Sequence, residues 1–211
     1  MARKKKILHK TARGVMVYPY LTKPDSFKGK ERFKCDFRVA SNEPQTEELL
    51  GLIEKLLENQ KAKDKINNDG DEVTYVDEYV PYSIDENAGM MTFKTALNRL
   101  GNVGKRDQFE QRPFVYDAKG DIVPSTVEVW TGTEGILNVE VYAWSMDGEG
   151  GLKVGVSLRL RAAQIILLAD RDDRKAEEYG FTAVDGGYDS NAASAPEDGE
   201  DSVDTGNHEE Y

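Results

Sequence analysis

The chain has little of the chemistry that cross-links small secreted domains or binds metal ions. Its 211 residues include one cysteine, Cys35, and two histidines, His9 and His208. No disulfide can form within the chain, and these distant residues lack the spacing of a zinc site. No stretch approaches the roughly 18 apolar residues of a membrane-spanning helix. The charged N-terminus precedes no apolar segment, so we expect no secretory signal. The single cysteine suits a protein of the reducing cytosol.

Basic residues are absent from the last part of the chain. Residues 185–211 contain nine acidic residues and no lysine or arginine. By contrast, residues 1–184 hold 30 acids and 28 bases, and residues 1–38 hold 12 bases and three acids. The net charge of −11 therefore describes a near-neutral body with a basic start and an anionic tail. The tail has too few apolar residues to offset the entropy of ordering, and we expect it to be disordered.

Two alternating runs joined by a glycine-rich turn stand out between residues 135 and 168. Alternation with period two predicts half-buried strands, and the short link predicts a hairpin. The apolar faces consist of Leu137, Val139, Val141 and Ala143 in the first run, and of Val154, Val156, Leu158, Leu160 and Ala162 in the second. The opposite faces carry Tyr142 and Trp144 on the first run, and Arg159 and Arg161 on the second.

The polar faces of this hairpin indicate a ligand. Aromatic rings and guanidinium groups on one sheet surface can stack nucleic-acid bases and neutralise phosphates, which sequence-tolerant binding of single strands requires. In a second interpretation, Tyr142 and Trp144 belong to the core and another element covers the valine face. The hairpin alone fits both.

Three further segments with period two predict strands near the same surface. Residues 15–21 place Val15, Val17, Pro19 and Leu21 on one side, and Met16, Tyr18 and Tyr20 on the other. Residues 32–39 place Phe33, Cys35, Phe37 and Val39 inward, and Lys34, Asp36 and Arg38 outward. Residues 90–97 direct Lys94 away from Phe93, Thr95 and Leu97. The polar faces of these strands therefore offer additional cations and rings.

The remaining segments are assigned to one helix and to connections. A leucine stripe at helical spacing predicts a helix over about 43–66, with Asn42 as its cap. Residues 68–89 are acidic and read as a loop. The link over 98–112 carries Arg99, Lys105, Arg106 and Arg112 among glycines, which suits either a phosphate clamp or a solvated loop.

Residues 114–129 predict a further strand, a turn at DAKGD and more extended chain. The order of elements is therefore strand, strand, helix, strand, strand and hairpin, followed by the acidic tail. This order predicts a mainly β protein: an OB-fold-like five-stranded barrel with one inserted long helix. We assign residues 1–184 to the barrel domain and residues 185–211 to the tail. No nucleophile–base pair or metal cluster has supporting spacing, so we expect no enzyme and no cofactor.

The sequence resembles bacteriophage single-stranded DNA-binding proteins of the type that serves a phage polymerase and helicase. The resemblance runs over most of the chain, and its specificity lies in the order of the pieces. Those pieces are VYPYLTKPD, RFKCDF before the long helix, TFKTAL, FVYDAKGD, VYAW, GVSLRLRAAQIILL and an acidic tail ending in an aromatic residue.

This resemblance implies an OB-fold, no catalysis and no required metal. It assigns DNA contact to the aromatic pair before the last turn, which here is Tyr142 and Trp144. The basic candidates are Lys94, Arg99, Lys105, Arg106, Arg159 and Arg161, to which the strand faces add Tyr20 and Lys34. The resemblance also implies a role in replication, recombination or repair, in the cytoplasm of an infected bacterial host. It leaves homodimerisation or cooperative assembly on DNA open.

The charge of the tail suggests a role for it. A tethered polyanion is present near a cationic groove at high effective concentration and can compete with DNA. Once released, the tail can dock on a phage or host polymerase, helicase or primase, with Glu209 and Glu210 as anions and Tyr211 as an apolar anchor. An alternative is that the chain is an acidic DNA mimic or interaction protein that binds a host enzyme. A further alternative is an OB module that binds RNA.

Overall fold

The computed structural model describes residues 6–68, 71–103, 107–170 and 182. The chain divides into two units, residues 1–171 and 172–211, and the description that follows concerns the first. The predicted boundary at residue 184 and the predicted tail over 185–211 lie outside the described residues. No described helix is long and apolar enough to cross a membrane.

The described part of the chain contains one helix and short and long strands around it. The helix α1 spans Pro44–Asn67. The strands are β1 (Ile7–Lys10), β2 (Gly14–Phe27), β3 (Lys30–Ala40), β4 (Tyr75–Tyr79), β5 (Tyr82–Asp85), β6 (Met90–Asn98), β7 (Leu100–Val103), β8 (Asp107–Glu110), β9 (Phe114–Tyr116), β10 (Glu134–Gly148) and β11 (Gly151–Leu167).

Five strands close into a ring in the order β2, β3, β6, β11 and β10, with β10 returning to β2. All neighbours in this ring are antiparallel except β6 and β11, which are parallel. A five-stranded barrel in which the last two strands exchange places is the OB-fold. The predicted fold class is therefore confirmed, and the remaining strands extend the edges of the barrel or form the separate β7–β8 hairpin.

The barrel interior takes the apolar faces that the alternation predicts up to Leu160. The prediction is wrong for Ala162, because the register of β11 shifts there and Ala163 and Ile165 are buried instead. Phe33, Cys35, Phe37 and Val39 of β3 are buried, as are Leu137, Val139 and Val141 of β10, and Val154, Val156, Leu158 and Leu160 of β11. Helix α1 covers part of the barrel with Leu49, Ile53 and Leu57. Its bounds agree with the predicted 43–66. The predicted cap at Asn42 is wrong, because the helix starts after Glu43 and no side chain caps it.

A buried carboxylate joins the end of the helix to two strands. Asp64 accepts hydrogen bonds on Oδ1 from Gln60 Nε2 at 3.0 Å and from Ser145 Oγ at 2.8 Å. Tyr75 donates its hydroxyl to Asp64 Oδ2 at 3.5 Å, and burial together with this carboxylate raises the pKa of Tyr75. These bonds fix β4 and the far end of β10 against α1, so the surface residues next to them have a rigid support.

Two predicted loops contain strands. The acidic segment 68–89 forms β4 and β5, where a loop was predicted; β4 pairs with β11 in parallel, and β5 pairs with β6. The link over 98–112 contributes β7 and β8, which pair with each other. The first segment gains its structure from strands outside it and the second from pairing within itself, and neither has an apolar face of its own. Their hydrophobic pattern is therefore too weak to predict a strand.

The predicted faces of β2 are wrong for Met16, which is buried, and agree with the structure for Tyr18 and Tyr20, which are exposed. Met16 and Leu21 are both buried although they have opposite parity, because the register slips between Val17 and Tyr20. Tyr18 adopts a positive φ of 48°, an unusual conformation for a residue with a side chain. This irregularity lies beside Pro19, which cannot donate to the ladder. The slip leaves Tyr18 and Tyr20 exposed outside the barrel.

Candidate nucleic-acid interface

A groove of about 670 Å³ crosses the outer surface of the barrel. It lies over β3, β6, β11 and β10, with β4 along one margin and the start of the β7–β8 hairpin at another. The side chains that line it are the polar faces of the alternating strands, including Lys34, Lys94, Tyr142, Trp144 and Arg159. The interpretation that gave the two rings to the core is excluded by this placement.

Three neighbouring residues fix the position of the Trp144 side chain on the outer surface of the barrel. Its indole N–H donates to Ser157 Oγ at 2.9 Å. The Tyr79 ring lies beside the indole, with 6.3 Å between ring centroids and an interplanar angle of 33°. Gly155 is the cross-strand partner of both Trp144 and Tyr79, and a Cβ there would lie 2.8 Å from Trp144 Cζ2. The absence of a side chain at Gly155 thus makes room for the indole.

Tyr142 forms the second aromatic position and is 36% exposed. The Arg159 guanidinium lies 4.8 Å from the centre of its ring, within the range of a cation–π contact. Glu140 is 8% exposed, and its Oε2 lies 3.5 Å from Arg159 Nη1 and 3.6 Å from Arg161 Nε. Lys6 adds a third cation to Glu140 at 3.9 Å. The buried carboxylate therefore orients Arg159 over the Tyr142 ring.

A similar cluster stands at the opposite side of the groove. Lys34 Nζ lies 4.9 Å from the centre of the Tyr20 ring and 2.6 Å from Asp25 Oδ2. Between the two clusters lie Arg32 and Lys94, both exposed and without an ion-pair partner within the described ranges. These two cations are available to an anionic ligand without the loss of an internal ion pair.

The charges in the groove favour an anion. Its lining includes four basic side chains and two acidic ones; the basic ones are Arg32, Lys34, Lys94 and Arg159, and the acidic ones are Asp36 and Asp77. Asp77 is in turn 3.7 Å from Lys153. Burial, and next the carboxylate of Asp36, raise the pKa of Tyr79, so its phenol stays neutral. The groove combines neutral rings with a positive balance of charge, although the chain as a whole is acidic.

The structure brings some of the predicted residues into the groove and places others elsewhere. Tyr142, Trp144, Lys34, Lys94 and Arg159 line it. Tyr20 stands beside it, under Lys34. Arg99 borders a separate cavity and pairs with Glu31 and Glu110, which raise its pKa, and Arg161 pairs with Glu140 beyond the groove. Lys105, Arg106, Glu209, Glu210 and Tyr211 lie outside the described residues.

Arg32 and Tyr79 line the groove but are not among the candidates from the sequence. Arg32 begins the alternating run of β3, and its outward parity could have identified it. Tyr79, which is 40% exposed, lies in the segment that was interpreted as a loop, and no periodicity there marks its orientation. Its position depends on the parallel pairing of β4 with β11, which the sequence does not reveal.

Nothing in the described residues indicates a reactive centre. No group of three or more His, Cys, Asp or Glu side chains within them could hold a metal ion. Cys35 is buried in the core, and burial raises the pKa of its thiol to about 12, so it is neither a nucleophile nor a thiolate ligand. What the described residues offer is a surface for stacking planar groups and pairing anions.

The fold and groove define an OB-fold protein with a ring-bearing, cationic outer face. Among solved structures, the chain is similar to gp2.5, a single-stranded DNA-binding protein encoded by bacteriophage T7; the TM-score is 0.69 and the identity 18%, over 87% of this chain and 98% of that one. The single-stranded DNA-binding protein from bacteriophage Enc34, in complex with ssDNA, gives a TM-score of 0.47 and 13% identity, over 77% and 88%.

No protein-family model matches the chain, and no curated protein does. The similarity to gp2.5 covers nearly all of that structure and shows that the two chains share a fold. The fold implied by the sequence resemblance to phage single-stranded DNA-binding proteins is thereby confirmed.

Proposed function

We propose that this chain is a phage single-stranded DNA-binding protein and that the DNA lies in the groove. The observation that carries the proposal is the pair of rings, Tyr142 and Trp144, fixed on the outside of the barrel among four cations. The solved protein gp2.5, which shares this fold, bears the name of a single-stranded DNA-binding protein. Its name supports a binding protein over an enzyme.

The groove residues divide the work of binding between bases and phosphates. Bases stack on the Tyr142 and Trp144 rings, each worth roughly 1–3 kcal/mol with little dependence on base identity. Arg32 and Lys94 contact phosphates directly, since neither has an internal carboxylate to displace. Lys34 and Arg159 form ion pairs with Asp25 and Glu140, so a phosphate must compete with these carboxylates. Binding is therefore weakly sequence-specific and electrostatically tuned.

The proposal predicts a preference for single strands and a defined dependence on salt. Fluorescence anisotropy of labelled oligothymidine should report binding that a duplex of equal length does not compete away. The slope of log K against log salt should be about −0.7 per phosphate, and about −2.8 if all four groove cations engage. Equal affinity for duplex and single strand would contradict the proposal. Stronger competition by RNA of equal length would assign the groove to RNA.

An acidic DNA mimic is a poorer fit to the groove. A protein that imitates DNA requires a face of negative charges, and the described groove has a positive balance. The acidity of the chain is concentrated in residues 185–211, which carry nine acids without a base.

We further propose that the protein coats single-stranded DNA during phage replication, recombination or repair, in the cytoplasm of an infected bacterium. The acidic tail then competes with DNA for the groove and, once displaced, recruits the replication polymerase and the helicase or primase. The support for this role is the charge opposition between tail and groove.

Deleting residues 185–211 is expected to raise the affinity for oligothymidine at low salt and to abolish binding to the polymerase or helicase. The reason is that removal of the tethered polyanion removes an intramolecular competitor. Anisotropy titrations at low and high salt measure the first effect, and sedimentation with the partner measures the second. A tail of equal length with its acids changed to Asn and Gln is the matched control. Unchanged affinity at low salt would contradict the competition.

A further inference from the structure

One row of outward-facing positions crosses all five strands of the barrel. Its members are cross-strand partners in succession: Tyr20, Lys34, Ala96, Arg159 and Glu140. Adjacent strands are about 4.8 Å apart, so the row is about 19 Å long. The groove covers its three middle members, Lys34, Ala96 and Arg159, and Tyr20 on β2 stands beyond the groove at one end. A polymer lying along it would thus leave the groove at Tyr20.

The two ends of the row have the same construction. At one end Arg159 lies 4.8 Å from the Tyr142 ring centre, and at the other Lys34 lies 4.9 Å from the Tyr20 ring centre. A buried or partly buried carboxylate orients each cation, Glu140 in one case and Asp25 in the other. Ala96 lies between the two clusters, and its small side chain leaves space above the sheet at that position. The cluster around Arg159 belongs to the proposed DNA groove, and at the end on β2 the candidate Tyr20 stands beside that groove without a defined contact.

A second aromatic residue stands beside Tyr20. Trp130 and Tyr20 line one shallow cavity of about 140 Å³, and they are 38% and 39% exposed. The loop that carries Trp130 is fastened to β2 at Met16 and Tyr18, because Gly132 N–H donates to the Met16 carbonyl at 3.0 Å and Tyr18 N–H donates to Thr131 Oγ1 at 3.0 Å. These hydrogen bonds therefore hold the loop of Trp130 against the strand that carries Tyr20.

The irregular backbone of β2 is what turns Tyr20 outward. The positive φ of Tyr18 and the register slip place Tyr20 outside the barrel and Leu21 inside. Such a conformation is unfavourable for a side-chain-bearing residue and is found where the surrounding structure imposes it, often at binding sites. Its effect here is to present a ring next to a cation at the end of the row.

We propose that Tyr20 and Trp130 form a second stacking station, which binds a later base of the same unpaired strand after it passes Lys34. This inference rests on the proposed function, since it extends the path of the DNA from the groove. The occupant is a single-stranded polynucleotide: the row offers rings for bases and Lys34 for the intervening phosphate. The station lengthens the footprint of the protein and makes affinity depend on the length of the strand.

The two tryptophans report on the two stations separately. Trp144 and Trp130 are the only tryptophans of the chain. In the Trp130→Phe variant the emission monitors the groove, and in the Trp144→Phe variant it monitors the second station, while both variants retain a ring for stacking. Each is titrated with oligothymidine from two to twelve nucleotides, and anisotropy of the labelled oligomer measures binding in parallel.

The expected result is that short oligomers quench Trp144 alone and that longer ones quench both tryptophans. Tyr20→Leu should weaken binding of a twelve-nucleotide strand at least about fivefold, and should leave the affinity for the shortest bound oligomer unchanged. Phe114→Leu, which removes an exposed ring from β9 outside the row, is the control and should change neither. A merely structural role of Tyr20 would alter the affinity at all lengths.

The outcomes separate the inference from the function on which it rests. Quenching of Trp144 at every length, without any quenching of Trp130, overturns the second station and leaves single-stranded DNA binding in the groove intact. Equal loss of affinity at all lengths in Tyr20→Leu also overturns it. Absence of any anisotropy change with folded protein overturns the proposed function, and the second station with it.

Discussion

Changing Tyr142 and Trp144 together to alanine is expected to lower the affinity for oligothymidine at least about tenfold. Each ring contributes roughly 1–3 kcal/mol by stacking a base, and tenfold corresponds to about 1.4 kcal/mol, so this estimate is a lower bound. Both side chains lie on the outside of the barrel, opposite the buried Leu137, Val139 and Val141. The change therefore removes ligand contacts and spares the core. Anisotropy titration at fixed salt measures the loss.

Two controls separate stacking from other effects of this double change. The pair Tyr142→Phe and Trp144→Phe keeps a ring at both positions and should retain most of the affinity, although it removes the indole hydrogen bond to Ser157. Phe114→Ala removes a ring that is at least as exposed but outside the groove. Affinity within twofold of the native protein, with unchanged circular dichroism and urea midpoint, would show that the rings do not stack bases.

A methyl group at Gly155 is expected to lower both stability and DNA affinity. The Cβ of Gly155→Ala would lie 2.8 Å from Trp144 Cζ2, 2.8 Å from the Tyr79 carbonyl oxygen and 2.9 Å from Tyr79 Cβ. Two of these atoms belong to the paired strand β4, so either β4 or the indole must move. Overpacking of this kind costs typically 1–3 kcal/mol of unfolding free energy. Urea denaturation measures the stability, and oligothymidine titration measures the affinity.

The matched control for Gly155→Ala is Gly51→Ala on the helix. A Cβ at Gly51 meets nothing within 4 Å. Alanine is favoured over glycine in a helix by about 0.5–1 kcal/mol, so this variant should become more stable and bind DNA as before. The same chemical change thus has opposite expected signs at the two positions. A Gly155→Ala protein with native stability and affinity would contradict the described packing under Trp144.

The sequence predicts the barrel strands whose two faces differ most in polarity. β3 and β6 alternate without interruption, and the hairpin β10–β11 alternates on both arms up to the bulge between Asn138 and Val139. In each, one face is apolar enough to decide which side is buried. The helix is predicted within one residue at each end because its leucine stripe is long.

The errors in the fold have a common physical cause. In β2, the register slips beside Tyr18, which has a positive φ, and this reverses the parity between Val17 and Tyr20; no local sequence rule predicts the slip beyond the neighbouring Pro19. β4 contains acidic residues and forms a strand because it pairs with β11. Both features depend on pairing between strands, and period-two patterns carry no information about which strands pair or in which register.

The sequence identifies which side chains face the groove better than it identifies their ion-pair partners. Outward parity placed Lys34, Lys94 and Arg159 correctly beside the two rings. It could not reveal that Arg99 is held by Glu31 and Glu110 outside the groove. Such ion pairs join residues far apart in the chain, so the availability of a cation becomes visible only in three dimensions.

The closure of the barrel by its last two strands has a consequence for biosynthesis. β10 and β11 join the ring on both of its open sides, and they also carry Tyr142, Trp144 and Arg159. A nascent polypeptide on the ribosome therefore lacks both a sealed interior and its ligand platform until about residue 167 has emerged. Premature termination before that point yields an open, edge-exposed fragment prone to association. Under the proposed function, the capacity to bind a polynucleotide thus forms only when the barrel is complete.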